Sequence, residues 1–451
     1  MPTSIGERVS RGELTRRDVL WLIGIVSAPV ALPALSGCAA HPVTGERVLV
    51  GLSEQDEIDI DRKQSPHQFS SDYGAVQDAS LNQYLGEMNN RIASRSHRPK
   101  LPYSCRALNA NYVNAYTFPA GSIGITRGIL LEMDNEAQLA GLLGHELGHV
   151  NARHGAQRVG QSMVAGAVLT GIAIAASASD RTSDWAPLIA LGGQIGASAL
   201  LASYSRDNER EADSLGMAYM TQVGYPASGM SELMGVLTRQ SREKPGLLDT
   251  MFSSHPMSDE RLANMRREAA SRYGATESAS VQRERYMDRT AKLRQLRPAI
   301  VDQQQGEQAM ARKRLPDAQQ ALTSSLKTAP DDYTGLCLMA KCQIAQNRRS
   351  EAQAYLAQAR RVYPSEGQAM QLAGINLLAQ KRFSESQQEL SRYAQVLPGD
   401  PDTDFLLALT HEGLQNRQAA AQAYRRYLTA VPQGDAARHA STRLKSWGML
   451  R

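Results

Sequence analysis

Four prolines spaced 34 residues apart mark the last third of this 451-residue chain. They are Pro330, Pro364, Pro398 and Pro432. Counting back 24, 12 and eight residues from each proline gives three further sets with the same spacing, two of small residues and one of large residues. The sets are Gly306, Ala340, Gly374 and Ala408; Ala318, Ala352, Ser386 and Ala420; and Leu322, Leu356, Leu390 and Tyr424. Agreement of four sets at one period predicts stacked helix pairs from about residue 298 onward.

The period of 34 residues is that of tetratricopeptide repeats, so residues 298–451 are predicted to form an all-α solenoid. Small residues let paired helices approach, and the large residues fill the space between repeats. Asp435 is the predicted N-cap of a closing helix that ends near Trp447. Such solenoids present a concave surface to peptides or partner proteins and carry no chemistry of their own. A catalytic function therefore has to come from the preceding residues.

The sequence LLGHELGHVNARH, residues 142–154, contains the H-E-x-x-H pattern at His145, Glu146 and His149. Residues four apart lie on one face of a helix, so both imidazoles can reach one metal ion. The Glu146 carboxylate can then reach a water molecule at that ion. Gly144 and Gly148 each weaken a helix by about 1 kcal/mol. We expect a close substrate or a packed neighbour to require them.

A second stretch, SRDNEREADSLG, supplies carboxylates four residues apart at Glu209 and Asp213 on a predicted helix. Two histidines and one carboxylate, with the fourth position open, form a catalytic zinc site. Asp213 is predicted to accept the second N–H of a ligand histidine and so to fix its tautomer. His154 is the competing third ligand. The metzincin spacing would need glycine and histidine where Ala152 and Gly155 stand, so His154 is predicted to form a structural hydrogen bond instead.

The succession of H-E-L-G-H and E-R-E-A-D resembles the zinc peptidase family of the CAAX prenyl proteases and HtpX. Residues 113–130, VNAYTFPAGSIGITRGIL, resemble the edge-strand segment that precedes the zinc helix in that family. Residues 254–261, SHPMSDER, resemble its H-P-x-x-x-x-R element, and the whole resemblance covers roughly residues 55 to 270. The resemblance implies one zinc ion per chain, held by His145, His149 and Glu209. It also implies Glu146 as the catalytic base and Asp213 as the supporting carboxylate.

His255 begins the H-P element. The resemblance implies that it can approach the zinc ion as a fourth ligand and restrain activity, as in periplasmic members of the family that carry tetratricopeptide repeats. A capping or hydrogen-bonding role in the H-P turn is the open alternative.

The N-terminus has the features of an export signal. Arg16 and Arg17 lie in a sequence that resembles a twin-arginine signal, and residues 19–35 are apolar. The following residues, LSGC, resemble the lipobox of bacterial lipoproteins, so Cys38 is the predicted lipidation site. Ala39 follows where an aspartate would retain a lipoprotein in the inner membrane, which favours the outer membrane. A plain signal peptide with an incidental cysteine is the alternative, and both export routes stay open.

The predicted fold class is α+β and mainly α. Its predicted parts are a signal peptide (1–37), a tether (38–60), a gluzincin-type zinc metallopeptidase domain with a small sheet (61–274), a linker helix (275–297) and the repeat domain (298–451). Residues 163–203 are rich in Ala and Gly, but their apolar runs are shorter than the ~20 residues of a membrane span. They are predicted to pack on the peptidase domain, with a membrane- or client-binding surface as the alternative.

These features together predict a zinc-dependent endopeptidase of the bacterial periplasm. The resemblance implies quality control and assembly of outer-membrane proteins. The implied partners are unfolded or stalled outer-membrane proteins and the β-barrel assembly machinery, bound through the repeats, with the membrane reached through a lipid anchor. A net charge of +5 without a Lys/Arg block excludes a nucleic-acid footprint. The alternatives are a chaperone or scaffold with a latent protease, and a zinc hydrolase that is not a peptidase.

Overall fold

This computed structural model describes residues 29–31, 38–159, 194–196, 204–243 and 248–450. The chain divides into two compact units. One, called the site unit, includes Leu32–Ser65 and Ala75–Arg297. The other, called the repeat unit, includes Pro66–Gly74 and Pro298–Arg451. Helices dominate both units and the sheets are small, so the predicted mainly α fold class is confirmed.

The strands are short. They are β1 (Pro29–Ala31), β2 (Cys38–Ala40), β3 (Arg47–Leu49), β4 (Ser104–Leu108), β5 (Ala115–Thr117), β6 (Ser122–Thr126) and β7 (Gln194–Gly196). The helices of the first part of the chain are α1 (Glu54–Ser71), α2 (Ala79–Ala93), α3 (Arg127–Glu132), α4 (Glu136–Asn151), α5 (Arg206–Gln222), α6 (Ser228–Glu243), α7 (Asp249–Ser254), α8 (Asp259–Tyr273), α9 (Arg283–Arg289) and α10 (Ala291–Gln295). Those of the second part are α11 (Arg297–Ala311), α12 (Leu315–Thr328), α13 (Tyr333–Ala345), α14 (Arg349–Val362), α15 (Gln368–Ala379), α16 (Phe383–Val396), α17 (Pro401–Gly413), α18 (Arg417–Ala430) and α19 (Asp435–Ser446).

A three-stranded sheet in the site unit has the order β4–β6–β5. Strand β4 runs parallel to β6, and β5 runs antiparallel to it, with Ala115 opposite Ile125 and Thr117 opposite Ile123. This order leaves β5 at one edge of the sheet, where it contacts α4. The sequence predicted an edge strand beside the helix of the H-E-x-x-H motif, and β5 lies in that position.

Side-chain caps fix where the central helices of the site unit begin. Asp78 accepts hydrogen bonds from backbone N–H groups at the start of α2, and Asn135 accepts the N–H of Gln138 at the start of α4. Ser205 and Asn208 form a reciprocal capping box at the start of α5. These caps bind the N–H groups of the first turn, which have no partner inside the helix. They therefore fix the residue at which α4 and α5 begin, and with it the side chains that share one face of each helix.

Two segments of the site unit differ from the sequence-based expectation. The predicted tether contains the β2–β3 hairpin and the beginning of α1. In the hairpin turn, the His41 ring accepts hydrogen bonds from two backbone N–H groups. The predicted linker helix is instead a short 3-10 turn followed by α9 and α10. Tyr286 of α9 is fully buried and donates its hydroxyl proton to the Leu130 carbonyl at 2.7 Å, which ties this segment to α3.

The repeat unit is built from helix pairs at the predicted period. All three sets of small and large positions recognised in the sequence are buried. The turns inside successive pairs repeat as well: Lys313, Asn347, Lys381 and Gln415 all have φ between 59° and 63°. Helix α19 begins at Asp435, but Gly434 precedes it as the N-cap and makes no side-chain capping bond, so the prediction of Asp435 as N-cap is wrong.

Residues 66–74 belong to the repeat unit although they lie far from it in sequence. Ser70 donates a hydrogen bond to Glu366, and Tyr73 accepts one from Lys341 Nζ at 2.9 Å. Gly74 has φ +73°, and a side chain there would collide with the Glu366 carboxylate. The 34-residue pattern gives no sign of this contact, because the segment is not part of a repeat.

Several sequence-based predictions fall outside the described residues. They concern the signal peptide apart from Pro29–Ala31, the side chain of Cys38, and the Ala/Gly-rich residues 163–203 apart from Gln194–Gly196. Among the helices that the structure does describe, none is both long and apolar enough to pass through a membrane.

Candidate metal centre

Helix α4 places the two histidines of the H-E-x-x-H motif side by side. All of its residues are buried, and its start is fixed by the Asn135 cap. Because one helical turn separates them, the Nε2 atoms of His145 and His149 lie 3.1 Å apart. Both rings therefore present a nitrogen to the same point.

Helix α5 crosses α4 closely enough for backbone to meet backbone. A Cβ on Gly148 would lie 2.6 Å from the Ala212 carbonyl oxygen, and a Cβ on Gly144 would lie 2.7 Å from that of Gly216. The expectation that a packed neighbour requires these glycines is therefore confirmed. The close crossing brings the Glu209 carboxylate of α5 to 3.2 Å from His149 Nε2 and 3.6 Å from His145 Nε2.

His255 completes a group of four donors. It follows the last residue of α7, and its backbone N–H is bonded to the Met251 carbonyl. Its Nδ1 lies 3.1 Å from Glu209 Oε1 and 3.2 Å from His145 Nε2. The donor atoms of His145, His149, Glu209 and His255 all lie within 4.8 Å of one another, and all four residues are buried.

These separations fit a zinc ion. In a tetrahedral site with Zn–N and Zn–O bonds of about 2.0–2.2 Å, neighbouring donor atoms are about 3.3–3.5 Å apart. The closest separations between these residues run from 3.1 to 3.6 Å, and all four donor atoms lie within 4.8 Å of one another. Two or three imidazoles with one carboxylate are also a donor set that zinc favours. The residues present therefore fit the ion that the sequence predicted.

Asp213 and Arg261 hold His145 from the side opposite the donor group. Asp213 Oδ1 lies 2.8 Å from His145 Nδ1, which leaves His145 Nε2 directed towards the other donors. Arg261 donates to both Asp213 oxygens at 2.7 and 2.8 Å and pairs with Glu209 at 2.5 Å. The sequence motif contained Arg261, but its spacing alone did not indicate that one guanidinium would serve both carboxylates.

Glu146 points into the same space without a close partner. It is 2% exposed, and no described residue donates a hydrogen bond to its Oε2. His255 Nε2 lies 3.8 Å from its Oε1. Burial raises the pKa of the Glu146 carboxyl, although the nearby His255 and His145 rings oppose that shift. A buried carboxyl with a raised pKa and an open oxygen is suited to taking up and releasing a proton.

The charges of the donor group depend on one another. Burial lowers the pKa of His149 well below its usual value, so this ring is neutral, the form that binds a metal. Burial alone would raise the pKa of Glu209, but the His255 and His145 rings hold it well below its usual range. Burial would lower the pKa of His255, but the Glu209 carboxylate beside it raises that pKa overall.

His154 lies outside the donor group. Its Nδ1 is 2.9 Å from His149 Nδ1, the ring nitrogen that faces away from the other donors. Its Nε2 is 3.2 Å from Glu211 Oε2. This arrangement agrees with the predicted structural hydrogen bond of His154. It also identifies Glu211 as a partner of His154, which the motif spacing did not indicate.

Tyr204 is a further residue that no motif indicated. Its ring stacks on the His149 ring, with centroids 3.8 Å apart and planes inclined by 19°. The Arg158 guanidinium lies over the Tyr204 ring, 4.3 Å from its centroid. Only the fold brings these side chains to His149, so no local spacing could have found them.

Comparison with known proteins gives two family matches. Residues 79–269 match peptidase family M48, and residues 309–373 match the tetratricopeptide repeat. The first match contains all four donor residues and Glu146.

Similar curated proteins include two named beta-barrel assembly-enhancing protease. The protein from Yersinia pestis is 29% identical over 198 residues, and the one from Escherichia coli K12 is 28% identical over 196 residues. Each alignment covers 43% of this chain and 40% of the relative, so the chain spans well under half the length of these relatives. Metalloprotease YcaL of Escherichia coli K12 is 31% identical over 213 residues, which cover 43% of this chain and 80% of YcaL.

Proposed function

Because the chain belongs to peptidase family M48, the family predicted from its motifs, we propose that it is a zinc-dependent endopeptidase. One observation carries the proposal. His145 Nε2, His149 Nε2 and the Glu209 carboxylate converge at 3.1 to 3.6 Å, next to the Glu146 carboxyl, whose Oε2 accepts no hydrogen bond from the described residues. Two histidines, a glutamate ligand and a free glutamate are the residues that hydrolysis of a peptide bond requires.

A zinc ion bound there would supply Lewis-acid activation of water and of the scissile carbonyl. Glu146 takes the proton from the attacking water at its open carboxyl oxygen. It then delivers that proton to the nitrogen of the leaving amine. Asp213 and Arg261 keep His145 in one tautomer and one orientation throughout, so the donor group does not rearrange between these steps.

The edge strand β5 supports a peptide rather than a small molecule as the substrate. An extended segment can pair with the edge of a sheet through backbone hydrogen bonds, which do not depend on side-chain identity. Strand β5 lies at the edge of its sheet and contacts the helix that carries His145 and His149. A segment bound to β5 would therefore pass the metal centre in extended form. This arrangement disfavours the alternative of a zinc hydrolase that is not a peptidase.

The substitution Glu146→Gln tests the assignment. It preserves size and burial but removes the proton acceptor. We expect zinc binding and folding to be retained, and cleavage of a urea-unfolded outer-membrane β-barrel protein to fall by about 10²–10⁴-fold. Glu87→Gln, an exposed position on α2, is the matched control and should leave cleavage unchanged. Cleavage by Glu146→Gln at the rate of that control would refute the proposal.

The proposed clients are unfolded or stalled outer-membrane proteins in the periplasm. Two relatives are named beta-barrel assembly-enhancing protease, and the tetratricopeptide repeats supply a surface of the kind that binds proteins. The β-barrel assembly machinery is the proposed partner of that surface. The alternative of a protein that acts mainly as a chaperone or scaffold is not favoured, because all the residues needed for catalysis are present and lie together.

Attachment to the outer membrane through a lipidated Cys38 is also proposed. Its support is the LSGC sequence at residues 35–38 and the alanine that follows. Mass spectrometry of the N-terminal peptide from membrane fractions should detect a lipid-modified cysteine as the first residue. A mature N-terminus that contains an unmodified Cys38 would rule out the anchor.

His255 is proposed to act as a fourth ligand that keeps the enzyme latent. Its Nδ1 lies as close to Glu209 and His145 as those residues lie to each other, so the ring stands in the open fourth position of the donor set. His255→Ala should therefore increase self-cleavage of the purified protein while zinc is retained. Loss of activity with retained zinc would mean that His255 assists the reaction instead.

A further inference from the structure

We propose that His154, Glu211 and His41 form a support that fixes the proton of His149 on Nδ1, so that His149 offers an unprotonated Nε2 to the metal. Glu211 lies within the E-R-E-A-D motif, but the motif spacing gave it no role, and His41 lies outside every motif from which the site was predicted. The inference rests on the proposed metal site. It concerns how this chain's own residues prepare one donor.

The His41 ring determines the first proton position. Its Nδ1 faces the backbone N–H groups of Val43 and Thr44, both at 3.3 Å. Backbone N–H groups only donate, so His41 Nδ1 is the acceptor and the ring proton is on Nε2. That Nε2 faces Glu211 Oε1 at 3.5 Å, which makes His41 the outermost and weakest member of the support. The ring is 4% exposed and is held in place by the β2–β3 hairpin.

Glu211 determines which ring nitrogen of His154 carries the proton. An ionised carboxylate only accepts hydrogen bonds, so His154 Nε2, at 3.2 Å from Glu211 Oε2, carries the proton. The Nδ1 of a neutral His154 is then an acceptor. It lies 2.9 Å from His149 Nδ1, so His149 must carry its proton on that nitrogen. The His149 Nε2 lone pair is left facing Glu209 and His145.

The end of α4 places His154 for this contact. The helix ends at Asn151, and Arg153 adopts a left-handed conformation with φ 57°. This turn directs the chain back, so that the His154 ring meets the His149 ring edge to face with centroids 5.1 Å apart. Arg153 is fixed in turn by Glu57 at 3.1 Å and by the Leu52 carbonyl at 2.7 Å. The conformation is therefore part of the fold rather than a freely exposed loop.

The two metal-facing histidines are thus supported in different ways. His145 contacts a carboxylate directly, and that carboxylate is neutralised by Arg261. His149 contacts a neutral imidazole, with the carboxylate one residue further away. Removal of a residue that hydrogen-bonds to a metal-binding histidine typically weakens metal binding by about 10–100-fold.

The experiment is a chelator competition that measures zinc affinity of the full-length protein. We expect His154→Ala to bind zinc about 10–100-fold more weakly than the wild type. His154→Asn should recover most of this loss, because its amide oxygen can accept the His149 proton. His97→Ala is the matched control, since His97 is another histidine of the site unit and bonds only to Tyr219 among the contacts described. It should bind zinc as the wild type does.

Substitutions of Glu211 test the proposal independently if the His154→Ala variant does not fold. Glu211→Ala should weaken zinc binding, and Glu211→Gln should weaken it less, because the glutamine oxygen still accepts the His154 proton. Asp207→Ala, an exposed position on the same helix, should have no effect. Equal zinc affinity for Glu211→Ala and Asp207→Ala, or for His154→Ala and His97→Ala, would overturn the inference.

These outcomes are distinct from failure of the proposed function. A wild-type protein that binds one zinc ion but cleaves no peptide bond would refute the endopeptidase alone. A wild-type enzyme that cleaves, with zinc affinity unaffected in His154→Ala and Glu211→Ala, would refute the support alone.

Discussion

The two units use glycine in opposite ways, although both are mostly helical. In the site unit, a Cβ on Gly148 would meet the backbone of Ala212 at 2.6 Å. In the repeat unit, a Cβ on Gly374 would meet the Leu390 side chain at 2.6 Å, with the nearest backbone atom at 3.5 Å. A side chain can change its rotamer, but the backbone of a packed helix cannot move without carrying Glu209 and Asp213 along. The site unit therefore depends on a distance between helices, and the repeat unit depends on a pattern of residue sizes.

Buried charge separates the units in the same way. Glu209 and Asp213 of the site unit lie against Arg261, and the pKa values of both carboxyls are held low although burial alone would raise them. In the repeat unit, Asp402 is 3% exposed and lies beside Asp400 rather than a cation. Burial and the Asp400 charge raise the pKa of Asp402 to about 8. Arg261 of the site unit thus pairs with two buried carboxylates, whereas Asp402 of the repeat unit has a raised pKa beside a second carboxylate.

The largest expected difference follows from removing Arg261. Arg261→Met would leave Glu209 and Asp213 buried without their cation, and breaking a buried ion pair in this way costs about 3–5 kcal/mol. Arg443→Met, in the repeat unit, leaves Glu412 with its Tyr424 and His439 neighbours and should cost about 1–2 kcal/mol. Urea unfolding of both variants after metal removal measures the difference. Equal losses would mean that the site unit is no more dependent on its charges than the repeat unit.

A glycine pair tests the difference in packing. Gly148→Ala should lower the free energy of unfolding of the site unit by about 3 kcal/mol, because it separates α4 from α5. Gly374→Ala should change that of the repeat unit by less than about 1 kcal/mol, since Ala340 and Ala408 occupy the equivalent positions of neighbouring repeats. Gly86→Ala is the control, because no atom of the described residues outside the adjoining helix backbone lies within 4 Å of the new Cβ, and it should stabilise α2 by about 0.5–1 kcal/mol. Similar losses for Gly148→Ala and Gly374→Ala would contradict this account of the two packings.

The last comparison concerns Asp402 and the pH dependence of unfolding. Its pKa of about 8 in the folded state lies above the ordinary aspartate value of 3.8, so the folded state binds the proton more tightly. The stability that this proton contributes is fully present below about pH 4 and is lost as the pH rises towards 8. Asp402→Asn removes that dependence, so its free energy of unfolding relative to the wild type should be higher at pH 8 than at pH 4. Asp317→Asn, an exposed carboxylate in the repeat unit, should leave the pH dependence of unfolding unchanged.

Local spacing made part of this molecule predictable from its sequence. The four-residue interval of His145 and His149 follows from helix geometry, and the repeats were recognisable because each one contacts only its neighbours. Glu209 and Asp213 were found because they too stand four apart on one helix. In each of these examples, the relevant distance in space corresponds to a short or periodic distance in sequence.

The unpredicted features all depend on contacts between distant segments. His41 and Glu211 face each other only because the β2–β3 hairpin and α5 fold together, and Tyr204 reaches His149 without any motif. Residues 66–74 join the repeat unit through Ser70 and Tyr73, outside the 34-residue pattern. The tether and the linker helix differ from their predictions for a related reason. Their sequences are mostly polar, but a few of their residues, such as His41 and Tyr286, are buried in the fold.

We propose that the close crossing of α4 and α5 builds one metal site from His145, His149 and Glu209. Metal analysis of the purified full-length protein tests it most directly, with Glu209→Ala and the exposed control Glu87→Ala compared with the wild type. We expect one zinc ion per chain in the wild type and in the control, and a marked loss of zinc in Glu209→Ala. Undiminished zinc in Glu209→Ala would remove Glu209 from the site and contradict the account.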